Sequence, residues 1–211
     1  MLMLSKKIII IGAGGFGIEV QEYIYDINVK NSTNHELKGF LDDDLSKNKK
    51  KFDIIDNIEN HKVCSEISYI IAIGDTKLRR NIYNKLKLKD AKFFTVIHPK
   101  SYISPSSSYS SGCIFSPFSI VGTSSFIESQ VVLNTHASVG HDAKIGSCSV
   151  ISPKVLIGGN SVIGKDVFIG SSSVVTPGKK VGENAKVAAG SVVYRNVKEN
   201  SFVIGNPAKQ T

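Results

Sequence analysis

The chain has 211 residues with 26 Lys+Arg against 18 Asp+Glu, 41% apolar residues, 18 Gly, 3 Cys and no Trp, enough for one or two small domains with a buried core. Cys64, Cys113 and Cys148 show no pair spacing, which excludes a disulfide framework and a zinc ribbon and points to a reducing compartment. The positive excess is +3 over residues 1–98 (16 minus 13) and +5 beyond (10 minus 5). Neither half has the Arg-rich, aromatic-interleaved patch of a nucleic-acid reader, and the one dense basic run, Lys47 to Lys51, reads as a solvated loop. The apolar run Ile8 to Ile11 is too short for a signal peptide or a bilayer span, so a soluble, cytoplasmic protein is expected.

In chain order, Lys7 to Ile11, Gly39 to Leu41, Tyr69 to Ile73 and Phe93 to Ile97 read as strands. Between them, Gly17 to Ile27 and Leu78 to Leu88 place apolar residues three and four apart and read as helices. Alternating strand and helix argue for a small parallel sheet with crossover helices over residues 1–98.

From residue 99 the composition turns to Ser, Val, Ile and Gly, and a period of six emerges. Stepping by six from Ile103 to Val193, all sixteen positions are apolar. The residues four further on, Ser107 to Val197, are small or β-branched except Lys179. Six residues cannot close a hairpin, but three such units can close a triangular coil of parallel strands with one large and one small side chain inward on each side. Residues 18 apart then stack at the spacing of neighbouring strands, about 4.8 Å. Glycine often follows the large residue, as at Gly122, Gly140, Gly146 and Gly158, where the chain is expected to turn a corner. Lys179 in a small-residue slot suggests a local bulge after Pro177-Gly178.

Two segments carry candidate chemistry. Gly12-Ala-Gly-Gly-Phe-Gly17 follows a strand and opens a helix; glycines there let backbone approach a diphosphate, and the helix N-terminus attracts it. Residues 1–98 hold little more than one mononucleotide half, so hydride transfer on NAD is disfavoured. Asp42 and Asp43 end the second strand, where an acid can bind a ribose hydroxyl or simply form a solvated turn. In the repeat, His141 and Asp142 follow the inward Val139 by two and three positions and point outward. Gly159 lies 18 residues after His141, on the same column one coil up. An imidazole oriented by a carboxylate, beside a glycine N–H, supplies a general base and an oxyanion donor for acyl transfer. His136 faces outward on the preceding side within possible reach of a cleft. Cys113 reads as core and Cys148 as outward without a base, while His98 reads as a hinge element and His35 and His61 have no evident partner. No His/Cys cluster has metal-ligand spacing.

The repeat resembles that of the hexapeptide-repeat acyltransferases, and the resemblance supplies a left-handed parallel β-helix, a homotrimer and active sites in clefts between prisms. Together with Gly39-Phe-Leu-Asp-Asp43, Ala72-Ile-Gly-Asp75, Ile97-His-Pro99 and Asn134-Thr-His-Ala-Ser-Val-Gly-His-Asp142, the glycine loop is similar to that of the bacterial sugar acyltransferases containing the sialic acid O-acetyltransferases and UDP-4-amino-sugar N-acetyltransferases. The resemblance implies an α/β, Rossmann-like nucleotide-sugar domain over 1–98 and an all-β acyltransferase domain with a C-terminal tail over 99–211. It implies His141 as base with Asp142 beside it, and Gly159 as donor to the thioester carbonyl of acetyl-CoA. Substrate would meet Gly12, Gly14, Gly15, Phe16, Gly17, Asp42, Asp43 and Asn134, with His136 as a further candidate. The pantetheine arm would run by Gly170, Ser171, Ala188, Ala189 and Gly190. Amino-sugar enzymes commonly carry a second His nine residues after the base, where this chain has Val150.

The function expected is transfer of acetyl from acetyl-CoA directly to the amine of a nucleotide-linked amino sugar for a surface glycan such as O-antigen, without metal, nucleic acid or membrane span. The alternatives are O-acetylation of sialic acid or a related sugar, and a non-catalytic nucleotide-binding β-helix scaffold.

Overall fold

The computed structural model describes residues 5–47 and 53–211; of the basic run, Lys49 to Lys51 lie outside the described residues. The chain forms two compact units, Met1–Pro99 and Lys100–Thr211.

The first unit is built on β1 (Lys7–Ile11), α1 (Gly15–Asn31), β2 (Glu36–Leu41), β3 (Ile54–Asp56), β4 (Ile67–Ile71), α2 (Thr76–Lys87) and β5 (Lys92–Phe93). All five strands are parallel in the order β3-β2-β1-β4-β5. The order reverses between β1 and β4, the place where open α/β sheets bind ligands. Ile8 to Ile11 and Tyr69 to Ile71 are buried, as central strands with both faces covered require. The short β3 had no counterpart in the hydrophobic pattern, and α1 runs one turn beyond the expected end to a left-handed Ser32. The segment read as one strand from Phe93 to Ile97 is two pairs of extended residues, Lys92–Phe93 and Val96–Ile97.

In the second unit, sixteen two-residue strands run from Tyr102–Ile103 to Val192–Val193 and fall on three parallel sheets. At three strands per coil this makes five coils and a third. Residues 18 apart are in register, as in Val121↔Val139↔Ile157↔Val175. From Phe115 onward every large inward residue is buried, whereas Tyr109 on the first coil is 43% exposed because no coil lies beneath it. Three inward serines are satisfied by the coil above: Ser125, Ser149 and Ser173 donate through Oγ to the carbonyls of Gly140, Gly164 and Ala188 at 2.7, 2.8 and 2.8 Å, which removes the cost of a buried hydroxyl.

The corners differ from the expectation in one respect. From Gly112 to Gly190 the left-handed residue is the third after each large one, including Phe118, Asp142, Cys148, Lys154 and Asn160, and it is seldom glycine. Glycine at the first position has another cause: a Cβ on Gly140 would lie 2.6 Å from Gly159 N, and one on Gly146 2.5 Å from Gly164 C, so neighbouring coils approach too closely for a side chain. Nor is there a bulge at Lys179. Gly178 takes φ +72°, the next strand keeps register through Val162↔Lys180, and Lys179 is half-buried near the end of the prism.

Candidate active site

The corner after the strand Ser138–Val139 is fixed by backbone bonds to the coils on either side. Asp142 N–H donates to Thr123 O at 2.9 Å, and Asn160 N–H donates to His141 O at 2.8 Å. On this frame His141 Nδ1 lies 2.8 Å from Asp142 Oδ2, with the side chains 61% and 53% exposed. An ionised carboxylate only accepts, so Nδ1 carries the proton and Nε2 presents its lone pair. Nε2 faces Gly159: a Cβ there would stand 2.6 Å from it. Gly159 has no left-handed φ, so the ring, not backbone strain, makes glycine necessary. Among the described residues the Gly159 N–H makes no hydrogen bond. A proton acceptor and an amide donor thus stand on successive coils of one corner, the pairing that acyl transfer requires.

The remaining expected residues of the repeat lie elsewhere. Asn134, His136, Gly170, Ser171, Ala188, Ala189 and Gly190 follow strands of a different sheet, that of Val132–Leu133, Phe168–Ile169 and Lys186–Val187, and form the corner column one flat side away from His141. Asn134 Oδ1 accepts from Thr135 N at 3.1 Å. His136 is left-handed and stacks on Phe118, with ring centroids 4.9 Å apart and planes at 11°. Val150 is a buried outward residue of that same sheet, distant in register from the His141 corner.

In the first unit the glycine loop divides its work. A Cβ on Gly12 would meet Ala72 O at 2.8 Å, and one on Gly17 would meet Gly12 O at 1.9 Å; Gly14 and Gly15 face open space. Gly14 caps α1 without a side-chain bond, and the first turn carries no acid, so its amides are available to an anion. Phe16 is half-buried beside them. Asp42 is not a solvated turn residue: it is 7% exposed, Oδ2 accepts from Ala13 N at 2.8 Å and Oδ1 from Asp44 N at 2.9 Å. Asp43 is exposed, with Oδ1 accepting from Ile58 N at 2.8 Å.

The other candidates settle into structure. His98 Nε2 lies 2.9 Å from Asp26 Oδ2. His61 bridges Asp56 and the Tyr69 hydroxyl at 3.3 and 3.0 Å. Cys113 donates to Ser110 O and Glu128 O. Cys148, read as outward, is fully buried, although the same left-handed corner position is exposed at Ser124, Asp142, Lys154 and Asn160. The functional reading passed over Arg79, a fully buried cation on α2. Its signal was a charge three and four residues before Ile82 and Tyr83 on the buried stripe.

Residues 7–86 match the model of the PglD N-terminal domain, and residues 162–195 match the hexapeptide repeat of succinyl-transferase. Among solved structures, the acetyltransferase domain of PglB from Neisseria gonorrhoeae in complex with acetyl coenzyme A is similar at 28% identity, with 99% of this chain and 100% of that chain covered and a TM-score of 0.89. GDP-perosamine N-acetyl transferase from Caulobacter crescentus shares the fold at 24% identity, 100% and 99% coverage and a TM-score of 0.87. WeeI from Acinetobacter baumannii AYE does so at 20% identity, 98% and 100% coverage and a TM-score of 0.67. The fold and these likenesses define a hexapeptide-repeat acyltransferase, a left-handed parallel β-helix preceded by a small Rossmann-like domain. With its PglD-type N-terminal domain, the chain is a hexapeptide-repeat sugar acyltransferase.

Proposed function

We propose that this protein is an acetyl-CoA-dependent N-acetyltransferase that acylates the amine of a nucleotide-linked sugar destined for a surface glycan, and that it works as a cytoplasmic homotrimer. The observation that carries the reading is His141 Nε2 set against Gly159, with Nδ1 engaged by Asp142. The amine nitrogen attacks the thioester carbon as Nε2 takes its proton. The oxyanion is held by the Gly159 N–H, and collapse releases the coenzyme A thiolate, which takes the proton back from the imidazolium. No acyl-enzyme is needed, since neither buried Cys113 nor buried Cys148 is placed to attack. Acetyl-CoA as donor is supported by the full-length likeness to an acetyltransferase domain solved with that molecule.

The open amides at Gly14 and Gly15, ahead of a helix start without acid, support a nucleotide diphosphate as the handle of the acceptor. Asp42 holds the loop, and exposed Asp43 remains to meet the ligand. Trimer formation is supported by exposed apolar residues flanking the His141 corner, Tyr102, Ile120 and Leu156 on one side and Phe126 and Val162 on the other. A partner's second corner column would then bring Asn134, His136 and the later-coil glycines to His141. The free, exposed thiol of Cys64 suits a reducing compartment.

The test is release of free thiol from acetyl-CoA by the purified protein with a panel of UDP-, GDP-, dTDP- and CMP-linked sugars bearing either an amine or only hydroxyls. Turnover confined to amino-sugar nucleotides is expected. Turnover on a sialic acid hydroxyl, or nucleotide binding without thiol release, overturns the reading.

A further inference from the structure

Arg79 is 0% exposed, on the first turns of α2. A cation is disfavoured at that end of a helix, and burying a charge is costly without fixed partners. Its guanidinium donates to Ile71 O and, at 3.1 Å, to Ile73 O, the carbonyls on either side of Ala72 at the end of β4. Ala72 in turn donates to Ile11 O at 2.8 Å, and its carbonyl forms the surface on which Gly12 sits, 2.8 Å from where a Cβ would be. Gly12 is the left-handed residue, φ +101°, that starts the glycine loop. The loop's other flank is tied by Asp42 to Ala13 N. The ends of β1 and β4, where the sheet order reverses, are therefore set by one buried cation and one buried carboxylate.

We infer that Arg79 is a positioning residue for nucleotide binding: by holding the two carbonyls around Ala72 it seats Gly12, and so aims the Gly14 and Gly15 amides at the diphosphate. This rests on the nucleotide reading above. Both bonds leave the one nitrogen Nη1, which the rigid guanidinium plane holds in place; a flexible ammonium can reach the same carbonyls but is not held there. Arg79 also adds fixed positive charge beside the crevice, where an anionic ligand gains from it.

The experiment compares full-length Arg79→Gln, Arg79→Lys and Leu86→Ala with the wild type. Leu86, also buried on α2, gauges general loss of packing in the same unit. UDP, GDP and dTDP are titrated calorimetrically, and KM for acetyl-CoA and for the nucleotide sugar are measured with melting temperatures. Arg79→Gln should weaken the tightest nucleotide about tenfold or more while KM for acetyl-CoA stays within about twofold, and Arg79→Lys should recover part of the loss. Leu86→Ala should lower the melting temperature and leave nucleotide affinity within about twofold. Should Arg79→Gln fail to fold, Arg79→Lys carries the same comparison. Wild-type affinity in a folded Arg79 variant, or equal weakening by Leu86→Ala, overturns the inference. A wild type that binds no nucleotide, yet acetylates a free sugar, overturns instead the reading on which it rests.

Discussion

Gly159 stands where its own missing side chain would collide with His141, at 2.6 Å from Nε2 and 2.8 Å from Cε1. Its neighbour across the coil, Gly140, is bare for a different reason, since a Cβ there would meet backbone, Gly159 N at 2.6 Å and Gly158 C at 3.0 Å. The two glycines separate catalysis from folding. Gly159→Ala displaces a ring that is 61% exposed and can swing, so stability should hold within about 0.5 kcal/mol. Turnover should fall about tenfold to a hundredfold as the base leaves its place. Gly140→Ala pushes on a coil that cannot yield and should cost about 1–3 kcal/mol. Urea midpoints and kcat for both variants check this; a stability loss in Gly159→Ala as large as in Gly140→Ala contradicts it.

Removing the base gives a second expectation. His141→Ala should lower kcat by about a hundredfold or more. Asp142→Asn should cost less, about tenfold, because water can reach a carboxylate that is 53% exposed and take over part of its contact with Nδ1. Steady-state kinetics at saturating acetyl-CoA decides. Near-normal turnover in His141→Ala removes it from the mechanism.

The repeat was legible because its period fixes direction: every sixth side chain must enter the prism, and from Phe115 to Val193 each does so. The corner conformation was not legible, because it is set between coils rather than within one. Asp142 N–H bonds to Thr123 O, Cys148 N–H to Ser129 O and Lys154 N–H to Thr135 O, each one coil below. Such bonds offset the cost of left-handed backbone, about 1–2 kcal/mol for a non-glycine residue, so Cys and Lys occur where a local rule would ask for Gly or Asn. His141 and Gly159 were found together because register carries 18 residues to the same edge. Arg79 escaped, and Asp42 was named for a ribose and not for the loop it ties, because the atoms they hold are backbone atoms of other segments, which leave no trace in side-chain pattern.

His35 links stability to pH. Burial, and then the Lys6 ammonium, hold its imidazole below the ordinary histidine value, and Nδ1 lies 3.3 Å from the Lys6 amide. The unfolded chain therefore takes the proton first, at about pH 6.5. The stabilisation is fully present above that pH and declines as pH falls through it toward the folded value. The urea midpoint should drop between pH 7.5 and 5.5, and His35→Gln should show a smaller drop. An identical pH dependence in the variant would remove His35 as the cause.

The separation of the expected site residues onto two corner columns makes a prediction about the assembly. If His141 of one subunit works with the Ala189 column of the next, His141→Ala and Ala189→Trp disable different halves of each site. In trimers reassembled from an equal mixture, a site is intact when its His141 comes from an Ala189→Trp chain and its other wall from a His141→Ala chain. Each condition holds for half the subunits, so about one quarter of wild-type turnover should return. A site completed within one chain has no intact combination and returns none. Denaturing the two variants together, refolding them and assaying acetyl transfer against each refolded alone distinguishes the cases, and recovery no greater than the separate variants would place both walls in one subunit.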